Sequence, residues 1–358
     1  MATLLPWLGI TLVATVQLLD QPTVPGPGPG AAVANLDALI LPFATFLITA
    51  ASTARYGWSR VLTTIATCAV TVLALNAMLQ LAQVAAVAPD LAAWRVTTDT
   101  ALGTTAERAA TLGRFTGIFG QPALAGVVYS VGLLLAVYVA RGRPVVQFAL
   151  VALMATGGIV AASKAFLLVG LPVGAWCYLR TTSGASHRAA LAAVGATAVW
   201  LVGSSTFFTQ WAGAERVIAA LTETTDVAAA TGNRYGEDST TKVVSSLVLD
   251  HQPLVGFGAQ GVSTATDAGW LHILTVSGVI GVALMVVMLL ALWVAWLQAR
   301  TTAPAPVTTL FGGLLVVLTA SNLAFPVFIG NRLSVIVWAL LAVLCAIAAD
   351  ATGKTRTT

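Results

Sequence analysis

Long apolar runs broken by short polar interruptions make up most of this chain, and the length of each run, rather than a period within it, sets the pattern. Crossing the hydrocarbon core of a bilayer takes a helix of about twenty mostly apolar residues. Windows of that kind fall at 3–20, 33–53, 61–84, 122–140, 145–162, 164–180, 189–208, 269–297, 306–325 and 333–349. They predict an all-α integral membrane protein with about ten transmembrane helices. The first window also has a secretory-signal alternative, because Ala31-Ala32-Val33-Ala34 follows it. It lacks a basic leading segment, however, and the Pro/Gly stretch from Pro22 to Gly30 reads as a turn between two spans. The run from Val145 to Leu179 has polar relief only at Ser163-Lys164. It is either a re-entrant hairpin or two spans joined at the outer surface, and two spans are the favoured reading.

Composition agrees with the pattern. The chain is 58% hydrophobic and 8% charged, where an ordinary soluble domain carries roughly a quarter charged residues. This excludes a soluble domain, and the net charge of +4 does not imply nucleic acid as a partner; membrane lipids are the implied surroundings. Cys68, Cys177 and Cys345 each lie inside an apolar run, which argues against disulfides and thiolate metal sites. The preference for arginine over lysine and the heavy use of alanine suggest a GC-rich bacterial genome.

Basic residues in short loops orient a membrane chain. Arg55 and Arg60, Arg141 and Arg143, Arg180 and Arg188, Arg300, and Lys354 with Arg356 fall on alternate connections. Placing these inside puts both termini in the cytoplasm. Asp20, Asp90, Asp99, Glu107, Glu215, Glu223, Asp226, Glu237, Asp238, Asp250 and Asp267 then lie outside, with Asp37 inside the second span and Arg332 the one basic residue against the scheme. Residues 1–358 read as a single polytopic membrane domain with two long outer loops, 85–121 and 209–268. The second loop has helical stretches at 215–221 and 240–249, followed by the glycine-rich turn Pro253-Leu254-Val255-Gly256-Phe257-Gly258. Long loops of this kind usually carry function.

Candidate chemistry clusters around these outer segments. Arg114 precedes Gly117-Ile118-Phe119-Gly120-Gln121-Pro122 and enters the fourth span. Its planar fork of donors suits a phosphate or carboxylate, and the alternative is an interfacial anchor snorkelling to headgroups. Lys164 stands in an apolar run, where a cation needs a partner or water; a structural turn cap is its other reading. Asp267 lies at the mouth of the span that contains His272. Either can act as a general base towards a hydroxyl, although Asp267 also suits an N-cap and His272 a hydrogen-bonded helix residue. His187 and His251 read as loop histidines.

Taken in order, these features resemble the O-antigen ligase and Wzy-type O-antigen polymerase family. They are Arg114 before the Gly117 to Pro122 string, Ser163-Lys164-Ala165-Phe166 opening a span, Asn233-Arg234, the turn from Pro253 to Gly258, and Asp267 through Gly269-Trp270-Leu271-His272 to Ser277-Gly278-Val279-Ile280-Gly281. The resemblance covers roughly residues 110–285. It implies a GT-C-like membrane glycosyltransferase with a large helical extracytoplasmic loop, in the bacterial cytoplasmic membrane. Such an enzyme takes a glycan from an undecaprenyl-diphosphate carrier at the outer face and passes it to a glycan or lipid acceptor, with no metal and no cofactor. By the same resemblance Arg114 and Arg234 bind the diphosphate. Lys164 stands where an arginine is common and supplies charge without a bidentate fork. Asp267 stands where ligases commonly carry a histidine, which favours a polymerase and makes Asp267 the first choice of base, with His272 the other. A polytopic transporter or lipid-linked glycan flippase is the competing expectation; the long outer loops and the lack of an internal repeat count against it.

Overall fold

The computed structural model describes residues 4–17, 29–85, 87, 109–181, 217–218, 239–261, 268–329 and 332–355. Among them the regular structure is helical and no strand occurs. The longer helices among the described residues are α1 (Leu5–Val16), α2 (Pro29–Tyr56), α3 (Trp58–Val84), α4 (Pro122–Val139), α5 (Pro144–Val160), α6 (Phe166–Thr181), α7 (Thr240–His251), α8 (Gly269–Ala299), α9 (Ala305–Ser321) and α10 (Arg332–Thr355). The segments Ala32–Tyr56, Trp58–Val84, Pro122–Val139, Gly269–Ala299 and Leu333–Thr352 are long and apolar enough to cross a membrane, while α1, α5, α6 and α9 are shorter apolar helices. Each predicted window therefore coincides with a helix except 189–208, which lies outside the described residues.

The C-terminal half of α3 combines buried amides with exposed apolar side chains. Asn76, Gln80 and Gln83 recur every three to four residues and are 2%, 0% and 6% exposed, whereas Val72, Leu75 and Met78 are 51%, 58% and 50% exposed. Buried amides beside large exposed apolar side chains suit apolar surroundings, while Leu62, Ala66, Val70, Leu73 and Ala77 of the same helix are buried with them and Thr63, Thr64, Thr67 and Thr71 are exposed.

The chain forms two compact units, each assembled from separated stretches. One comprises Met1–Ile65, Val227–Pro304 and Leu318–Thr358; the other comprises Ala66–Asp226 and Ala305–Val317. In the first, α1 packs on α8, and α10 packs on α2 and α8. Its core is aromatic. Trp7 is fully buried with its ring centroid 4.9 Å from that of Trp338, and Phe46 and Phe328 meet Trp338 edge-on. Both indoles are satisfied, with Trp7 Nε1 donating to Leu39 O at 2.9 Å and Trp338 Nε1 to Phe328 O at 2.8 Å.

In the second unit α4 is the buried centre, apolar on every side, with α5 and α6 against it. Small residues let these helices approach closely: the Tyr129 ring fills the space beside Gly157, and Ser130 Oγ that beside Gly170. The first five residues of α6, Phe166–Gly170, are wound as a π-helix.

The helical stretch expected at 240–249 is α7. Its N-cap is Ser239, whose Oγ accepts from Lys242 N at 3.2 Å. Ser239→Ala is expected to cost about 1 kcal/mol, seen as faster amide exchange in the first turn of α7 with the rest of the protein unchanged. Of the stretch expected at 215–221, only residues 217–218 are described, and they are helical.

Candidate functional site

Four of the arginines that the sequence assigns to the inner surface lie at the C-terminal ends of alternate helices, each over an aromatic ring. Arg55 is 5.2 Å from the Tyr56 centroid, Arg141 4.2 Å from Tyr138, Arg180 5.5 Å from Trp176 and Arg300 4.9 Å from Trp296. Cation and ring together suit the level of lipid headgroups.

Arg114 is built differently. A tight turn delivers it, with Gly113 N donating to Ala110 O and Arg114 N to Ala109 O, both at 2.9 Å. Its half-buried side chain reaches back to the end of α5, where Nε donates to Ala161 O at 3.4 Å and Nη2 to Ala162 O at 3.2 Å. The end of a helix presents outward carbonyls and partial negative charge, so a guanidinium is favourable there. Ala162 takes a positive φ of 45°, which turns the chain sharply into Ser163 and Lys164. The structure thus brings Arg114 to the turn that carries Lys164, itself half-buried at the start of the helical run into α6. The guanidinium is thus bonded to the backbone at the end of α5.

The loop after Arg114 is fixed from below by α3 and α4. Asn76 Oδ1 accepts from Ile118 N at 2.8 Å, and its Nδ2 donates to Thr116 O at 3.4 Å. Gln80 Nε2 donates to Phe115 O at 2.7 Å. The Tyr129 hydroxyl joins the two amides, accepting from Asn76 Nδ2 at 2.8 Å and donating to Gln80 Oε1 at 2.7 Å. Gly117 adopts a φ of 60° and leaves the space of a Cβ to Asn76 Oδ1, which is the physical reason for the first glycine of the Gly117 to Pro122 string. Sequence reasoning missed Asn76, Gln80 and Tyr129. The available signal was the i, i+4, i+7 row of amides within an otherwise apolar helix.

His272 belongs to the other unit. The apolar run at 269–297 predicts one continuous span, but α8 is broken at Gly278, where φ is 61° and ψ is −160°. The glycine-rich turn expected at 253–258 occupies the break. Phe257 N donates to Thr275 O at 2.7 Å, Val279 N to Pro253 O at 2.9 Å and Ile280 N to Leu254 O at 3.1 Å. The turn thereby satisfies groups that a broken membrane helix would leave bare. From Val279 to Ala299 the helix still extends roughly 30 Å, while Gly269 to Ser277 form a separate half-helix. His272 sits in that half-helix, its N donating to Ala268 O at 3.1 Å and its O accepting from Thr275 Oγ1 at 2.7 Å. Val244 and Val248 of α7 pack with Phe257, Ala268, Leu271 and Leu274 to hold it.

The residue that precedes the half-helix is Ala268, which makes no side-chain cap hydrogen bond. Asp267 itself and Arg234 lie outside the described residues, as do Asn233 and His187. Asp37, placed by its sequence inside a span, is exposed on α2, and His251 is exposed at the end of α7. Among the described residues no group of three His, Cys, Asp or Glu side chains is placed to hold a metal ion. No protein-family model and no curated protein matches this chain.

Proposed function

We propose that this chain is a GT-C-like glycosyltransferase crossing the bacterial cytoplasmic membrane about ten times, with both termini inside, that polymerises or ligates surface polysaccharide at the outer face. Its donor is an undecaprenyl-diphosphate-linked glycan, and its acceptor is the hydroxyl of another glycan or of a lipid. The observation that carries this reading is the fixed position of Arg114 on the carbonyls of Ala161 and Ala162, beside the turn that bears Lys164. A half-buried, immobilised guanidinium next to a second cation suits an oligoanion, and the reaction needs one. As the bond between the anomeric carbon and the diphosphate oxygen breaks, negative charge grows on the departing diphosphate. Fixed donors in a partly dehydrated site stabilise that charge most where it is largest, in the transition state. Arg114 and Arg234 supply the donors, and Lys164 adds a point charge. The acceptor oxygen forms the new bond and gives up its proton to Asp267, with His272 the second candidate. The ring-backed arginines at the ends of α2, α4, α6 and α8 support the orientation.

Asp267→Asn and His272→Asn separate the two bases. Transfer measured in membrane vesicles is expected to fall by about a hundredfold or more for the residue that takes the proton and to change little for the other. Unchanged transfer in both variants removes the general base from the reading.

A carrier of lipid-linked glycans is the second reading, because carriers use broken helices whose bared ends face the cargo and α8 is broken at Gly278. In this chain the turn from Pro253 to Phe257 fills the break, which favours an enzyme. Reconstituted vesicles that move labelled lipid-linked glycan across the bilayer without forming a longer product would reverse that preference.

A further inference from the structure

We infer that Asn76, Gln80 and Tyr129 form a positioning element for Arg114, setting the affinity for the lipid diphosphate without touching it; the inference rests on the diphosphate role proposed above for Arg114. The polarity of the network admits one arrangement. Ile118 N needs an acceptor, which fixes Asn76 with Oδ1 towards the loop, and Phe115 O needs a donor, which fixes Gln80 with Nε2 towards it. Asn76 then presents Nδ2 to Tyr129, and Gln80 presents Oε1. Only a group that accepts and donates at once can stand between them, and a hydroxyl does both. Three backbone groups in the four residues after Arg114 are held in this way: Phe115 O, Thr116 O and Ile118 N.

The site of the network also matters. Asn76, Gln80 and Tyr129 are buried to 2%, 0% and 0% exposure, away from water that could replace a lost partner. Removing the Tyr129 hydroxyl, which also lies 3.4 Å from Leu73 O as a donor, leaves one amide oxygen and one amide N–H to find new partners, and an amide that rotates to find one lets go of the loop. Arg114 is joined to Phe115 by one peptide bond, its N is bonded to Ala109 O, and its side chain reaches the end of α5. A loosened Phe115 therefore shifts the backbone from which the guanidinium reaches Ala161 O and Ala162 O, and weakens the two bonds that hold it beside the turn of Lys164. Misplacing a fixed donor by a fraction of its hydrogen-bond length is enough to lose most of its effect on an anion.

The test uses purified full-length protein in lipid nanodiscs, with undecaprenyl diphosphate as the probe. Kd is measured for the natural sequence, Tyr129→Phe, Arg114→Ala and the double variant. Tyr129→Phe is expected to weaken binding about tenfold, about 1.4 kcal/mol, and Arg114→Ala more strongly. The double variant is expected to bind no worse than Arg114→Ala, because the hydroxyl acts only through the arginine. Gln80→Met, which keeps side-chain length and removes the link to Phe115 O, carries the same expectation and stands in if Tyr129→Phe does not accumulate. Binding by folded Tyr129→Phe or Gln80→Met equal to that of the natural sequence overturns the inference, with the Arg114→Ala loss still upholding the diphosphate role. Losses that add in the double variant also overturn it, since that is the signature of a general structural effect. A natural protein that does not bind the probe overturns the diphosphate role and the inference together.

Discussion

Arg114→Ala is expected to reduce glycan transfer by about a hundred- to a thousandfold, the usual consequence of removing one fixed donor from a developing anion. The same substitution strips Ala161 O and Ala162 O of their guanidinium partners, so a loss of folded protein must be kept apart from a loss of chemistry. Arg114→Lys makes the separation. A lysine keeps a cation near the end of α5, where the helix favours it, but offers a point charge in place of a planar fork. Normal amounts of Arg114→Lys protein in the membrane, with transfer still strongly reduced, are the expected pair of results. Arg300→Ala, at an arginine that stacks on Trp296, is expected to change transfer little. Transfer that survives both Arg114→Ala and Arg234→Ala would sink the diphosphate assignment.

The second large effect concerns Gly278. Its φ of 61° and ψ of −160° lie in a region open essentially to glycine alone, at a cost of about 1–3 kcal/mol for any other residue. A Cβ at this position would also fall on the carbonyl of Leu254 and lie 2.5 Å from Val255 N. These are backbone atoms, and they cannot withdraw without breaking the bonds from Val279 N and Ile280 N to Pro253 O and Leu254 O, each worth about 1 kcal/mol. Gly278→Ala is therefore expected to destabilise by at least about 3 kcal/mol, much of the margin of a typical domain. The control is Gly57→Ala, where φ is 81° but no atom lies within 4 Å of the new Cβ; only a conformational cost of about 1–2 kcal/mol applies there. Thermal unfolding in detergent is expected to rank Gly278→Ala well below Gly57→Ala. Equal midpoints would mean that the turn from Pro253 to Phe257 does not sit in the break of α8.

These two positions show what the sequence discloses and what it hides. The helices were legible because a run of twenty apolar residues has few other uses; the run from Ile273 to Leu297 was equally legible as a span. Its break was not, because glycine is common in membrane helices and the residues that fill the gap lie some twenty positions earlier. Both strings, Pro253 to Gly258 and Ser277 to Gly281, stood out in the sequence, but nothing in their letters says that one accepts the hydrogen bonds of the other.

Arg114 shows the same limit in another form. Its charge and its place before the fourth span could be read directly, whereas its bonds to Ala161 O and Ala162 O could not, because a backbone carbonyl carries no residue identity. The amides of α3 lay between these extremes. Their spacing marks an inward polar face, but only the structure connects that face to Phe115, Thr116 and Ile118. The expected roles of Arg234 and Asp267 fall on residues outside those described and rest on the sequence resemblance.

The most direct test of a lipid-linked glycan transferase is the pool of polyprenyl-diphosphate glycans in cells from which this protein has been removed, analysed by mass spectrometry. The proposed function predicts accumulation: single repeat units if the chain is a polymerase, long lipid-linked chains if it is a ligase. A pool identical to that of unmodified cells would contradict the account.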